Sequence, residues 1–221
     1  MKKLALTACF LSIIPLVLFA QSDSNDPISV HDKSGIFIDA RDGQLYNWIR
    51  IGEQAWMAKN LNYNAKSSCW CYSYNNENCD TYGRLFTWEM AQNVCPKGWH
   101  LPEDSEWKQL EKYLGMKDSL LNRIDPRGAK VNIGGKMKAT FGWNPPNTGA
   151  TNESGFNALP AGYCNSHSEF IRLDYGAYFW SSTSFGESYA YLRGFYYYYN
   201  GIYRSYWHKS NAFSVRCVKD L

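Results

Sequence analysis

The plainest pattern in the chain is a helical one. Between Asp104 and Leu114 the apolar residues Trp107, Leu110 and Leu114 recur three and four apart. That spacing sets them on one face and predicts an amphipathic helix ending at Gly115. Glu103 stands at its cap position, with Glu106 three residues on. Acidic charge there suits the helix dipole, although Glu caps less well than Ser or Thr. A shorter helix is expected from Thr87 to Asn93, stopped by Pro96 and Gly98. Elsewhere the period is nearer two. Ile36 to Asp39 and Leu45 to Ile51 read as strands joined at Asp42-Gly43, with Gln54 to Met57 as a third. Phe179 to Thr183 and Ala190 to Leu192 read as core strands. Tyr196 to Tyr199 and Ile202 to Trp207 flank a hairpin turn at Asn200-Gly201. Phe213 to Val218 alternates and is expected to be a final buried strand. The Asn-rich, aromatic stretch from Cys69 to Cys79 reads as a stapled surface loop. Residues 117–155, with Gly134-Gly135 and Asn144-Pro145-Pro146-Asn147, read as long loops. The sum is an α+β domain with a largely antiparallel sheet, two main helices and long loops.

The first twenty residues follow another pattern. Lys2 and Lys3 precede an uncharged apolar stretch from Leu4 to Phe19, and Ala20 precedes the polar Gln21-Ser22-Asp23. This predicts a secretory signal peptide over residues 1–20, cut before Gln21. The run is about 16 residues against the roughly 20 a spanning helix needs, and Pro15 interrupts it, so a membrane anchor is disfavoured. Lipid attachment at Cys9 is the minority alternative, because its apolar core would shrink to Leu4 to Ala8. Residues 21–34 read as a polar linker and 35–221 as the folded domain, secreted or held at the cell surface.

Export changes how the rest is read. Without Lys2 and Lys3, 21 basic residues face 20 acidic ones, which gives no electrostatic case for nucleic acid or anionic membrane. No later apolar run is long enough to span a membrane. Cys9 leaves with the signal, and the six remaining cysteines read as disulfides. The expected pairing is Cys71 with Cys79 across a polar loop and Cys95 with Cys217 between the middle and the C-terminus, which leaves Cys69 to Cys164. A closed loop of the Cys95–Cys217 size stabilises by about 4–5 kcal/mol in the chain-entropy view. A zinc site is the weaker alternative, since Cys69-Trp70-Cys71 has a single spacer residue. Neither a metal nor any other cofactor is expected.

Several segments together resemble a known family. They are Tyr82-Gly83-Arg84-Leu85-Phe86-Thr87-Trp88, Cys95-Pro96-Lys97-Gly98-Trp99-His100-Leu101-Pro102 followed by Glu106-Trp107, Phe156-Asn157-Ala158-Leu159-Pro160-Ala161-Gly162, Phe179-Trp180-Ser181-Ser182-Thr183, and Ser214-Val215-Arg216-Cys217-Val218-Lys219-Asp220. In this order they resemble the Fibrobacter succinogenes major paralogous domain, over roughly Gly35 to Leu221. The resemblance implies a secreted or surface protein and no particular chemistry. Leu101-Pro102-x-x-x-Glu106-Trp107 is also similar to a signature of formylglycine-generating enzymes, with Glu103 in place of the usual Thr. That similarity implies a C-type-lectin-like fold.

Catalysis of the kinds this second likeness implies finds little support. Formylglycine-generating enzymes hold copper on a late cysteine pair, whereas Cys164 and Cys217 are assigned here to bridges. Related sulfoxide synthases need an H-x-x-x-H cluster, whereas His31, His100, His167 and His208 are scattered singly. His100 reads as a hydrogen-bonded core histidine. The Glu-Pro-Asn and Trp-Asn-Asp segments of calcium lectins are absent, and Trp143-Asn144-Pro145-Pro146-Asn147 lacks the carboxylate calcium would need. Trp99, Leu101, Trp107, Phe179 and Trp180 read as core, Gly83, Gly98 and Gly162 as turns, and Arg84 or Arg216 as structural partners of Glu89 or Glu106. The chain holds 17 Tyr and 9 Trp, which suit cores and binding surfaces alike. Strand alternation would put Tyr197 and Tyr199 on one face of the late hairpin and Tyr196 and Tyr198 on the other, with Arg204 on the return strand beside Tyr203, Tyr206 and Trp207. Tyr197, Tyr199, Tyr203, Tyr206 and Trp207 are the preferred set of candidate ligand residues. The expected function is a secreted or surface binding or adhesion module without catalysis, whose partner is a polysaccharide or a surface protein. A structural component of surface assemblies and a divergent enzyme are the alternatives.

Overall fold

The hairpin expected around Asp42-Gly43 forms. A computed structural model of the chain describes residues 22–23, 28–29 and 31–221. The expected signal peptide and Cys9 lie outside these residues, as do positions 21, 24–27 and 30 of the linker. Strand β1 (Ser22–Asp23) runs parallel to β2 (Ser34–Ile38), which pairs antiparallel with β3 (Leu45–Ile51), and β3 with β4 (Gln54–Met57). Along β3 the residues alternate, Tyr46 and Trp48 inward and Leu45 and Asn47 outward. The first part of β3 is thus covered on one face, whereas β4 is buried on both, with Met57 in one core cluster and Trp56 in the other.

The segment from Cys69 to Cys79 is not a plain loop. It holds β5 (Cys69–Trp70), a single tight helical turn at Tyr72–Tyr74, and the start of α1 (Asn76–Tyr82). The Asn75 side chain accepts the Glu77 N–H at 3.0 Å, an N-cap that starts the helix. Strand β6 (Leu85–Thr87) and a short α2 (Trp88–Ala91) follow. The helix foreseen from periodicity is α3 (Asp104–Tyr113), and the Glu103 N–H donates to Glu106 Oε2 at 2.7 Å. Trp107 and Leu110 on its inner face are wholly buried.

Residues 117–155 also hold regular structure, namely α4 (Asp118–Leu121), β7 (Asp125–Arg127) and α5 (Ile133–Met137). Gly134 and Gly135 are buried in α5, where a Cβ would collide with the carbonyl oxygens of Gly201 and Gly149 respectively. They serve close backbone approach, not loop freedom. The late strands are β8 (Ala161–Cys164), β9 (Phe170–Leu173), β10 (Gly176–Phe185), β11 (Tyr189–Tyr196), β12 (Ile202–His208), β13 (Ala212–Ser214) and β14 (Val218–Asp220). The expected final strand is therefore split. Its first half, β13, pairs with β6, β8 and β10, and its second half, β14, crosses to the first sheet and pairs with β4. Residues 213–218 are all buried, so they do not alternate. Between the halves the Arg216 side chain is enclosed, with Nε on Asn60 Oδ1 at 2.6 Å and Nη1 on Met57 O at 2.9 Å.

The larger sheet runs β5-β6-β13-β8-β10-β11-β12-β7, with β9 on β8. Both faces of its β10–β11–β12 part are covered. One packs Trp180, Tyr178, Leu192 and Phe213 with Phe37, Tyr46 and Trp99, and the other packs Phe179, Phe195 and Ile202 with Trp56, Trp107 and Phe156. The fold is thus a mixed α+β domain with mostly antiparallel sheets, and five α-helical segments among the described residues.

Two bridges form as expected, Cys71–Cys79 and Cys95–Cys217. The third expected bridge does not, since Cys69 and Cys164 are unbonded. The ladder explains why. Cys69 lies beside Phe86, Phe86 beside Phe213, and the neighbouring Ala212 beside Cys164. Three strand spacings of about 4.8 Å separate the two thiols, well beyond the roughly 7 Å a disulfide can close between Cα atoms.

Candidate ligand surface

The late hairpin does not turn at Asn200-Gly201 alone. Strand β11 ends at Tyr196, and residues 197–201 form the connection. The cause is Lys138, which is fully buried just after α5. Its ammonium donates to the carbonyl oxygens of Thr148 at 3.0 Å and of Tyr196 and Tyr199 at 3.1 Å each. It also sits 5.3 Å from the centre of the Trp143 ring. Among the described residues it has no carboxylate partner, and burial pushes its pKa down to about 8. Two backbone bonds complete the turn, from Tyr197 N–H to Tyr175 O at 3.1 Å and from Thr148 N–H to Tyr197 O at 2.8 Å.

With the turn's backbone held from below, Tyr198 is exposed, while Tyr197 is half-buried against the core cluster that holds Phe179 and Phe195. Arg172, Tyr175, Tyr196, Tyr197 and Tyr198 line a shallow hollow of about 370 Å³. Tyr175 and Tyr198 are 48% and 52% exposed, which leaves ring faces free for contact. Tyr175 meets Tyr197 edge-on at 5.3 Å, and Tyr197 meets Tyr198 edge-on at the same distance. Behind them Tyr203 packs against Tyr196 at 4.6 Å and Tyr199 at 5.5 Å. Such edge-to-face contacts fix ring orientation before anything binds.

Of the five residues expected to form a ligand surface, only Tyr197 lines the hollow. Tyr199 and Tyr203 support it from behind. Tyr206 lies further along β12, stacked on Phe185 with ring centres 3.9 Å apart. Trp207 points inward and packs on Tyr163, Tyr178 and Phe213. The expectation rested on strand alternation, and the turn that Lys138 imposes ends the strand before Tyr197. Arg172 and Tyr175 were missed because they come from β9 and the turn into β10, where Arg172 and Asp174 adopt φ of 66° and 63°. No local residue pattern announces those conformations.

The charged residues lie elsewhere. Asp104 takes Arg204 on both oxygens and Arg193 on one, all at 2.8 Å, with Lys108 at 3.0 Å. Burial alone would raise its pKa, but the bonds from Arg204, the charge of Arg193 and the bond from Lys108 outweigh this and hold it well below the usual carboxylate range. Glu111 takes Arg127 and Arg193, and all three are buried. This network replaces the pairing expected of Arg84 or Arg216 with Glu89 or Glu106. Arg216 bonds Asn60 and backbone carbonyls, while Glu106 bonds His100, with Nε2 and Oε1 2.7 Å apart. His100 is at the surface, not in the core, because it pairs with Val218 at the margin of the first sheet. The hydrogen bond to Glu106 raises its pKa against the effect of burial. Ligand atoms of His100, Glu106 and Asp220 lie within 4.8 Å of one another, but both Glu106 oxygens are already engaged by His100 and by the Glu103 N–H.

Among the described residues no helix is long and apolar enough to cross a membrane. The family model of the Fibrobacter succinogenes major domain matches residues 49–219. No curated protein and no solved structure matches the chain.

Proposed function

We propose that this chain, which belongs to the Fibrobacter succinogenes major domain family, is an exported, non-catalytic binding module that holds a polysaccharide in the tyrosine hollow. The observation that carries the reading is the hollow that Tyr175 lines together with Tyr197 and Tyr198, the last two on a turn whose backbone is already fixed by Lys138. Aromatic faces suit the C–H faces of sugar rings, phenol hydroxyls suit sugar hydroxyls, and a pre-set turn avoids the ordering cost of binding. The two disulfides fit an oxidising compartment and so favour export. The reading also takes the fold as lectin-like, in keeping with first and last strands that share one sheet and one main helix packed on a late antiparallel sheet. Copper chemistry of the formylglycine kind is disfavoured, because Cys217 is bonded to Cys95 and leaves Cys164 without a second late thiol.

A panel of immobilised polysaccharides tests the reading. The mature domain is expected to retain at least one polymer, and a Tyr197→Ala, Tyr198→Ala double variant is expected to lose it while folding normally. Retention that ignores both substitutions would remove the hollow from consideration. A stoichiometric copper or iron in the purified domain would favour the enzyme alternative.

A further inference from the structure

Arg172 distinguishes this hollow from a neutral aromatic platform. It is the one charged residue among those lining it, and its side chain is exposed. Arg41, Arg127, Arg193 and Arg204 each have an aspartate or glutamate partner. Arg172 has none among the described residues. Its Nη1 donates to the Tyr178 hydroxyl at 2.9 Å, and its guanidinium lies 5.3 Å from the centre of the Tyr196 ring. Those contacts orient the group and leave Nε and Nη2 available. A planar fork with free donors matches a carboxylate by two parallel hydrogen bonds.

The backbone supplies an independent observation. Arg172 has φ of 66° within β9, the left-handed region in which a long side chain is strained and Gly or Asn is at ease. Strain of this kind costs of order 1–3 kcal/mol and gathers at binding sites. An arginine there gives the fold only its contacts with the Tyr178 hydroxyl and the Tyr196 ring, since its side chain is exposed.

From this cluster we infer that the hollow selects an acidic polysaccharide, with Arg172 pairing with a uronate carboxylate while Tyr197 and Tyr198 hold the sugar faces. The inference rests on the sugar-binding reading and adds the charge of the ligand to it. Polygalacturonate and its methyl ester share a backbone and differ in that charge, so they form the test pair for titration calorimetry. The wild-type domain is expected to bind polygalacturonate roughly tenfold more tightly than the ester, with a preference that shrinks as salt is raised. Arg172→Gln is expected to bring the two affinities together, and Arg172→Lys, which keeps the charge without the fork, to fall between. Arg172→Asn is expected to keep or raise the melting temperature, because Asn tolerates the left-handed backbone. A wild type that binds both polymers equally through Tyr197 and Tyr198, or an Arg172→Gln variant that still prefers the acid, overturns the inference and leaves the sugar reading intact. A clear loss of melting temperature in Arg172→Asn would assign Arg172 to the fold and overturn it too. Binding of neither polymer overturns the inference and leaves the sugar reading to the wider panel, whereas binding unaffected by Tyr197→Ala and Tyr198→Ala overturns both.

Discussion

Two buried cationic centres brace the late sheet in different ways. On the α3 side Arg127, Arg193 and Arg204 meet Asp104 and Glu111, and the charges close on one another. At the tyrosine turn Lys138 meets three backbone carbonyls and no acid. The first arrangement pairs side chains with one another inside the protein, so that cluster is enclosed and out of a ligand's reach. The second uses up backbone, so the side chains of the same turn are left over and Tyr198 faces solvent. Charge and burial alone would have pointed to the first centre as the chemistry of the molecule. Asking which side chains remain at the surface points to the second.

The largest expected effect comes from opening the closed centre. Arg193→Met leaves Asp104 and Glu111 short of a partner in the interior, which costs about 3–5 kcal/mol. Chemical denaturation should show that loss, while the fraction still folded should bind polysaccharide as before. A coupled loss of affinity would mean that the two centres are not independent. The same network has a pH signature. The folded pKa of Asp104 is held below its unfolded value, so its stabilisation is full above the ordinary carboxylate pKa of about 4 and is lost as pH falls through the lowered folded value. Asp104→Asn should flatten the acid limb of a stability profile, and an unchanged limb would remove Asp104 as its source.

Next in size is the open centre. Lys138→Met leaves the carbonyls of Thr148, Tyr196 and Tyr199 without their shared donor, a cost of about 1–3 kcal/mol. Hydrogen exchange should quicken around residues 196–201 before it does in α3. Burial lowers the Lys138 pKa to about 8, against about 10.4 for an exposed lysine. Between those values the unfolded chain binds the extra proton, so the Lys138 contribution to unfolding free energy rises with pH in that window. The rise should vanish in Lys138→Met. If it persists, another group is responsible.

The contrast also explains what could be read from residue order. Helix α3 was legible because Trp107, Leu110 and Leu114 report its period and Glu106 its start. The β2–β3 hairpin and the Cys71–Cys79 bridge, with a sequence separation of 8, were legible for similarly local reasons, whereas Cys95–Cys217, with a separation of 122, was reached only by joining the middle of the domain to its C-terminus. The acid–arginine centre was not. Arg193 and Arg204 occupy ordinary strand positions, and their partner Asp104 lies 89 and 100 residues away. Helix α5 was hidden because Gly134 and Gly135 resemble a loop until Gly201 and Gly149 are brought against them. Tyr197 was found for the wrong reason, through an alternation that Lys138 ends. Arg172 and Tyr175 needed a pair of left-handed residues that no motif marks.

The smallest stability effect carries the sharpest contrast. Tyr198 and Tyr206 are both exposed tyrosines, at 52% and 37%, yet they sit in different surroundings. Tyr198→Ala removes a ring from the wall of the hollow together with its contacts to Tyr196 and Tyr197, at a cost of about 0.5–1.5 kcal/mol. Tyr206→Ala removes a ring stacked on Phe185, and a pair of that kind contributes about 0.5–1.5 kcal/mol beyond its buried area. Stability losses of similar size are therefore expected from the two substitutions, whereas only Tyr198→Ala is expected to weaken polysaccharide retention. Paired melting and retention measurements on the two variants decide the matter. Equal losses of retention would show that rings anywhere on this surface suffice, and that the turn held by Lys138 confers no special geometry.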